Sequence, residues 1–202
     1  MPVTFSIADQ DACDRVARMI CLYHPELHEA GVTVGTIFAA NEGGEPSIKM
    51  KGAAVKGTMQ VVSLKDRVLK KVDAQMVLAL ECWDKMTEAE RNALVDHELC
   101  HIQLKKWGRR MVLDANGEPT GEEVLWFDRD DLGRPKLKLV NGDVEGGDGF
   151  AVVIARHGAA AGEYQNLTRV GFWARKALGD GIEEMGQDLI DEIKLHGHGY
   201  GV

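Results

Sequence analysis

The spacing of hydrophobic positions changes several times along the chain, and each change marks an element. From Ser6 onward Ala12, Val16, Met19, Ile20 and Tyr23 recur three and four apart, the period of one helix face, until Pro25 interrupts them. This predicts an amphipathic helix ending near Tyr23. Residues 32–39 carry Val, Thr, Ile and Phe in extended order before a loop rich in Gly and Glu, which predicts a strand closed by turn residues. Residues 55–64 fit strand and helix equally. Residues 75–80, Gln-Met-Val-Leu-Ala-Leu, have the length and apolar density of a buried central strand.

Thr87 and Glu90 form the clearest helix start. Their spacing is that of a capping box, in which each side chain accepts from the other residue's backbone N–H. The helix is expected to reach about Lys106, where Lys105 and Lys106 suit the negative end of its dipole and Gly108 offers a stop. Residues 124–127 and 136–140 read as a hairpin whose charged tip, between Asp128 and Pro135, is solvated. Residues 150–157 read as a short helix stopped by Gly158. Beyond it Ile182, Met185, Leu189 and Ile193 return to helical spacing, and the Gly-rich tail has too little apolar surface to order itself. The expected architecture is α+β: a mixed sheet packed on the Thr87 helix and the N-terminal helix over residues 1–158, with a C-terminal helical extension over 159–202.

Composition narrows the function. A length of 202 residues suits one domain with an appendage, and 45% apolar with 28% charged residues describes an ordinary globular protein. The net charge of −8 has the wrong sign for a protein that coats nucleic acid or an anionic membrane, so neither partner is expected. No apolar run approaches the roughly 18 residues of a membrane helix, and the start of the chain lacks the basic and apolar segments of a secretory signal. A cytoplasmic location is expected. Cys13, Cys21, Cys82 and Cys100 are scattered with no C-x-x-C pair, as buried reduced thiols would be.

The chemistry concentrates in the Thr87 helix, which carries His97, Glu98 and His101 as an H-E-x-x-H pattern. At ~100° per residue, positions four apart project side by side, so His97 and His101 can meet one metal ion. Glu98, rotated about 100° from His97, can reach water on the ion's open side, where a general base belongs. Asp96 reads equally as a carboxylate supporting this site and as a solvated charge. A catalytic zinc needs a third protein ligand. Of the other histidines, His24, His28, His157, His196 and His198, only His157 lies in a structured segment downstream, and it reads better as a partner of its helix dipole. The Gly-rich acidic cluster at residues 142–149 is the better source, although Asp148 also reads as a helix N-cap.

With these residues in hand, the chain resembles the phage metallopeptidases, small zincin-like proteins of phages and prophages. The resemblance spans about residues 27–158 and rests on the strand and Trp83 before the motif, on residues 91–101, and on residues 142–145 with 150–158. It implies a zincin-like fold, a peptide or protein substrate in a host bacterial cytoplasm, and a peptidase-type zinc site. His97 and His101 would be ligands and Glu98 the catalytic acid or base. The family carries a His-Asp pair before the late helix, whose His resembles a third ligand. Here Gly142 and Asp143 stand at that pair, whereas counting back five residues from Phe150 puts Glu145 in the ligand's place. Glu145 is the third ligand this implies, with Asp143 and Asp148 as alternatives. The departure at Gly142 supports a second class of reading, a zincin-fold binding or regulatory protein that holds a structural metal or none.

Overall fold

A computed structural model describes residues 2–43, 45–140 and 148–162, the first three residues of the last stretch by backbone alone. It begins with a strand that the apolar spacing hid. β1 (Thr4–Ile7) has all four residues exposed, so no alternation announces it. The helix expected from Ser6 starts instead after Asp9, whose carboxylate accepts from the Ala12 N–H at 2.8 Å, and α1 (Gln10–Tyr23) ends where expected. His24 closes α1 by donating its N–H to the Ile20 carbonyl, and Pro25 opens α2 (Pro25–Glu29) in the next position.

β2 (Val34–Ala40) follows, then a small hairpin of β3 (Lys49–Met50) and β4 (Ala53–Ala54). The stretch that fitted either element divides into β5 (Gly57–Val61) and α3 (Leu64–Lys70), with Ser63 capping the helix. β6 (Ala74–Ala79) is the central strand its composition predicts. It lies parallel to β2, with Val34 opposite Ala74, and antiparallel to β5, with Gly57 opposite Leu78. β1 pairs antiparallel with β2, which gives a four-stranded mixed sheet in the order β1-β2-β6-β5.

α4 (Leu80–Trp83) turns directly out of β6, and the Trp83 ring is buried 5.9 Å from that of Phe38. α5 (Glu88–Cys100) begins with the expected capping box: Thr87 accepts from the Glu90 N–H, and the Glu90 carboxylate accepts from the Thr87 N–H at 2.8 Å. Phe38, Met59, Met76 and Leu78 of the sheet form one core with Val16, Met19 and Ile20 of α1 and Val95 and Leu99 of α5. Full burial of such a side chain contributes about 1.5–3 kcal/mol.

The far end of α5 differs from expectation. The helix stops at Cys100, with His101 as its C-cap, and does not reach Lys106. Ile102 and Leu104 are buried on either side of exposed Gln103, and they form β7 (Ile102–Leu104), paired with β10 (Leu137–Leu139). A tertiary pairing that buries two large apolar side chains overrides the local helix signal. β8 (Trp107–Leu113) and β9 (Pro119–Phe127) then form a long antiparallel ribbon with Trp107 opposite Phe127. The expected hairpin between residues 124–127 and 136–140 is therefore corrected, because their partners are β8 and β7. Its connection is not a solvated tip either: Asp130 accepts from Arg67 at 2.7 Å, Arg134 binds the Asp73 carboxylate, and Pro135 is buried.

α6 (Asp148–His157) ends at Gly158, whose φ of +56° is readily adopted by glycine, and a 3-10 turn (Gly158–Ala160) follows. The four cysteines are free thiols, but Cys21 is exposed and the others half-buried, so they are not the fully buried core residues expected. No helix among the described residues is long and apolar enough to cross a membrane. The stripe from Ile182 to Ile193 and the Gly-rich tail lie outside the described residues.

Candidate metal centre

Helical geometry distributes the motif over three flanks of α5. His97 and His101 share one flank; Asp96 and Cys100 lie roughly 100° to one side of it, and Glu98 roughly 80° to the other. The Nε2 atoms of His97 and His101 are 3.2 Å apart, with the rings nearly perpendicular at 84°. Nδ1 of His101 lies 3.1 Å from the Val140 carbonyl, and the Val140 N–H donates back to the His101 carbonyl at 2.9 Å. Because a carbonyl only accepts, this contact puts the ring proton on Nδ1 and leaves Nε2 with its lone pair. Two nitrogens bound to one tetrahedral zinc at 2.0–2.1 Å stand about 3.3 Å apart. The pair therefore fits such an ion in spacing, and His101 fits it in tautomer as well.

Glu98 is buried, and its flank faces the start of β5. A Cβ on Gly57 would lie only 2.9 Å from the Glu98 carboxylate oxygen and 3.2 Å from its carboxyl carbon. Glycine at that position is what admits the carboxylate beside the strand. The strand and the motif helix thus meet through Glu98, which lies next to the histidine flank without sharing it.

Asp96, on the opposite flank, is completely buried. Its Oδ1 is 2.8 Å from His24 Nε2 and 2.9 Å from the Arg156 guanidinium; its Oδ2 is 2.9 Å from His157 Nε2 and 3.2 Å from the same guanidinium. Burial opposes ionisation, but the hydrogen bonds from His157 and His24 and the charge of Arg156 outweigh it. They hold the carboxyl well below the ordinary carboxylate range. An ionised carboxylate only accepts, so both imidazoles donate Nε2–H to it. Arg156 also donates to the Tyr23 carbonyl at 3.3 Å and lies over the Tyr23 ring, while His157 meets that ring edge-on. Asp96 is thus a buried, hydrogen-bonded carboxylate and not a solvated charge.

His24, Asp96 and Cys100 also bring a nitrogen, a carboxylate oxygen and a sulfur within 4.8 Å of one another, a buried group that could hold a metal ion. A cation there would compete with Arg156 for the Asp96 carboxylate. The structure brings His97 and His101 together, with Glu98 on the neighbouring flank against Gly57. Asp143 and Glu145 lie outside the described residues, and of Asp148 only the backbone is described. His157 sits in the last turn of α6 with its Nε2 on Asp96. Sequence reasoning missed the roles of His24, Arg156 and Gly57. Their partners are 72, 60 and 41 positions away along the chain, and the sequence showed there only the break at Pro25.

An α+β domain with two convergent histidine nitrogens and a buried glutamate on one helix has the elements of a metal-dependent hydrolase. The chain belongs to the family described as "Putative phage metallopeptidase", whose model matches residues 4–170. That family name implies a metal and a protein substrate. The match begins before the resembling segment and runs past Gly158. Neither the curated proteins nor the solved structures give a match, so the sheet and helices described above stand as the account of the fold.

Proposed function

We propose that the protein is a zinc-dependent peptidase of zincin type that hydrolyses a peptide or related amide bond beside His97 and His101. The observation that carries this reading is the 3.2 Å approach of the two Nε2 atoms, with the His101 tautomer set by the Val140 carbonyl. Zinc held there would supply a Lewis acid that polarises a carbonyl and makes water acidic enough to react near neutral pH. Glu98 would take the water proton on its carboxylate, which packs beside Gly57, and deliver it to the leaving nitrogen. Glu145 is the proposed third ligand. In support, Val140 is fixed at His101 by two hydrogen bonds, so the chain enters the acidic segment beside the histidines. Residues 1–158 are proposed as the peptidase unit and 159–202 as an appended segment.

The test is metal content per chain in protein purified without added metal or a histidine tag. About one zinc per wild-type chain, lost in His101→Ala and in Glu145→Ala, is the expected result. Loss in His101→Ala alone moves the third ligand to Asp143 or Asp148. Glu98→Gln should retain zinc and lose casein hydrolysis; undiminished hydrolysis would remove Glu98 from its role. Absence of zinc uptake at micromolar concentration favours the second reading, a binding or regulatory protein on the same scaffold. That reading draws on Gly142 standing where the family resemblance expects a histidine.

A further inference from the structure

We infer that Asp96 is a positioning residue of the metal centre: without touching the histidine flank, it sets the rotation of α5 that directs His97 and His101. This inference rests on the zinc reading above. The cluster around Asp96 joins three separate parts of the chain, namely α5, the α1–α2 junction through His24, and the end of α6 through Arg156 and His157. On the other side of the helix, Glu98 abuts the backbone of Gly57. α5 is therefore gripped on both sides of the flank that carries the histidines.

The lever arm makes that grip consequential. With Cα atoms about 2.3 Å from the helix axis and an imidazole reaching outward, each Nε2 stands roughly 6–7 Å from the axis. A rotation of about 10° would carry both nitrogens some 1 Å, several times the ~0.2 Å tolerance of a zinc–ligand distance. The nitrogens would keep their mutual spacing, but they would move away from the Val140 carbonyl and from any ligand that α5 does not supply. A buried ion pair adds little net stability over a well-packed apolar alternative. Its value at Asp96 lies in direction: two imidazoles and a planar guanidinium, arriving from two other elements, can satisfy both oxygens together in one helix orientation.

The experiment measures zinc affinity of the full chain by competition with a chromophoric chelator, alongside thermal stability, for wild type, Asp96→Asn, Arg156→Gln, the double variant and Met76→Ala. Met76 lies in the core on β6, away from the cluster, and serves as a control for general destabilisation. Asp96→Asn should weaken zinc binding about ten-fold or more, in the range seen when groups that orient metal ligands are removed. Arg156→Gln should weaken it in the same direction. The double variant should be no weaker than Asp96→Asn alone, because both residues act through one contact. Met76→Ala should lower the melting temperature and leave affinity within about two-fold.

Wild-type affinity in a folded Asp96→Asn, or a Met76→Ala loss as large as the Asp96→Asn loss, overturns the inference while leaving the zinc site intact. Should Asp96→Asn fail to fold, Arg156→Gln decides, since it leaves the carboxylate with both imidazoles; unchanged affinity there overturns the inference. A wild-type chain that binds no zinc overturns both this inference and the peptidase reading, and is distinguished by its wild-type result.

Discussion

Asp73 and Asp96 are both almost completely buried, each binds an arginine, and both carboxyls are held below the ordinary range, yet their partners differ in kind. Asp73 accepts from the Thr33 backbone N–H at 2.8 Å and from its hydroxyl at 2.9 Å, and it binds Arg134 with Arg67 close by. Those bonds tie the residues preceding β2 and β6 to the connection that follows β9. Among the described residues, the hydrogen bonds to the Asp96 carboxylate come only from side chains on helices or their ends. One aspartate cross-ties backbone segments, so its loss should open the sheet. The other holds side-chain directions, so its loss should be felt most at the histidines.

The largest test of this contrast is Asp73→Ala, which leaves Arg134 and Arg67 without their central carboxylate. It should lower the unfolding free energy by about 3–5 kcal/mol in urea titration. A loss under about 1 kcal/mol would place Asp73 among ordinary surface-type pairs. Next comes zinc linkage: at about 100 times its dissociation constant, zinc should stabilise wild type by about 2.7 kcal/mol. At that same fixed zinc concentration the gain should persist in Asp73→Asn and shrink in Asp96→Asn. Equal gains in both variants would erase the distinction drawn here.

Gly57→Ala should cost about 1–3 kcal/mol, because the new methyl overlaps the Glu98 carboxylate, and peptidase activity should fall more steeply than stability. Thr87→Ala should cost about 1 kcal/mol by removing one half of the capping box, without altering zinc affinity. Acid provides the subtlest comparison. Both carboxyls have folded pKa values below the unfolded value near 3.9, so their contribution is full above that value and is lost as pH falls through it toward the folded pKa. Stability should therefore decline below about pH 4, and the decline should flatten in Asp73→Asn and in Asp96→Asn. A wild-type slope in either variant would assign the acid sensitivity elsewhere.

What the amino-acid order revealed was local. Thr87 and Glu90 encode the start of α5 because both halves of the capping box lie within one turn. The pairing of His97 with His101 follows from helical period alone. By contrast, the end of α5 depends on Leu104 finding Leu137, and the partners of residues 124–127 depend on β8, neither of which composition specifies. The α5 hydrophobic pattern is weak, with Asp96 and Glu98 buried among its apolar residues, so periodicity could not say which polar residues face inward. The support of the candidate centre was hidden for the same reason. His24 and Arg156 lie 72 and 60 residues from Asp96, and only the folded chain brings them there.

That separation has a consequence for birth on the ribosome. The motif helix, carrying its own cap, can form while the rest of the domain is still being made, whereas Arg156 and His157 emerge 60 and 61 residues after Asp96. At about 5–20 residues per second, synthesis leaves an interval of several seconds in which both motif histidines exist without the clasp that orients their helix. The clasp can close only after the final part of the described domain has left the exit tunnel.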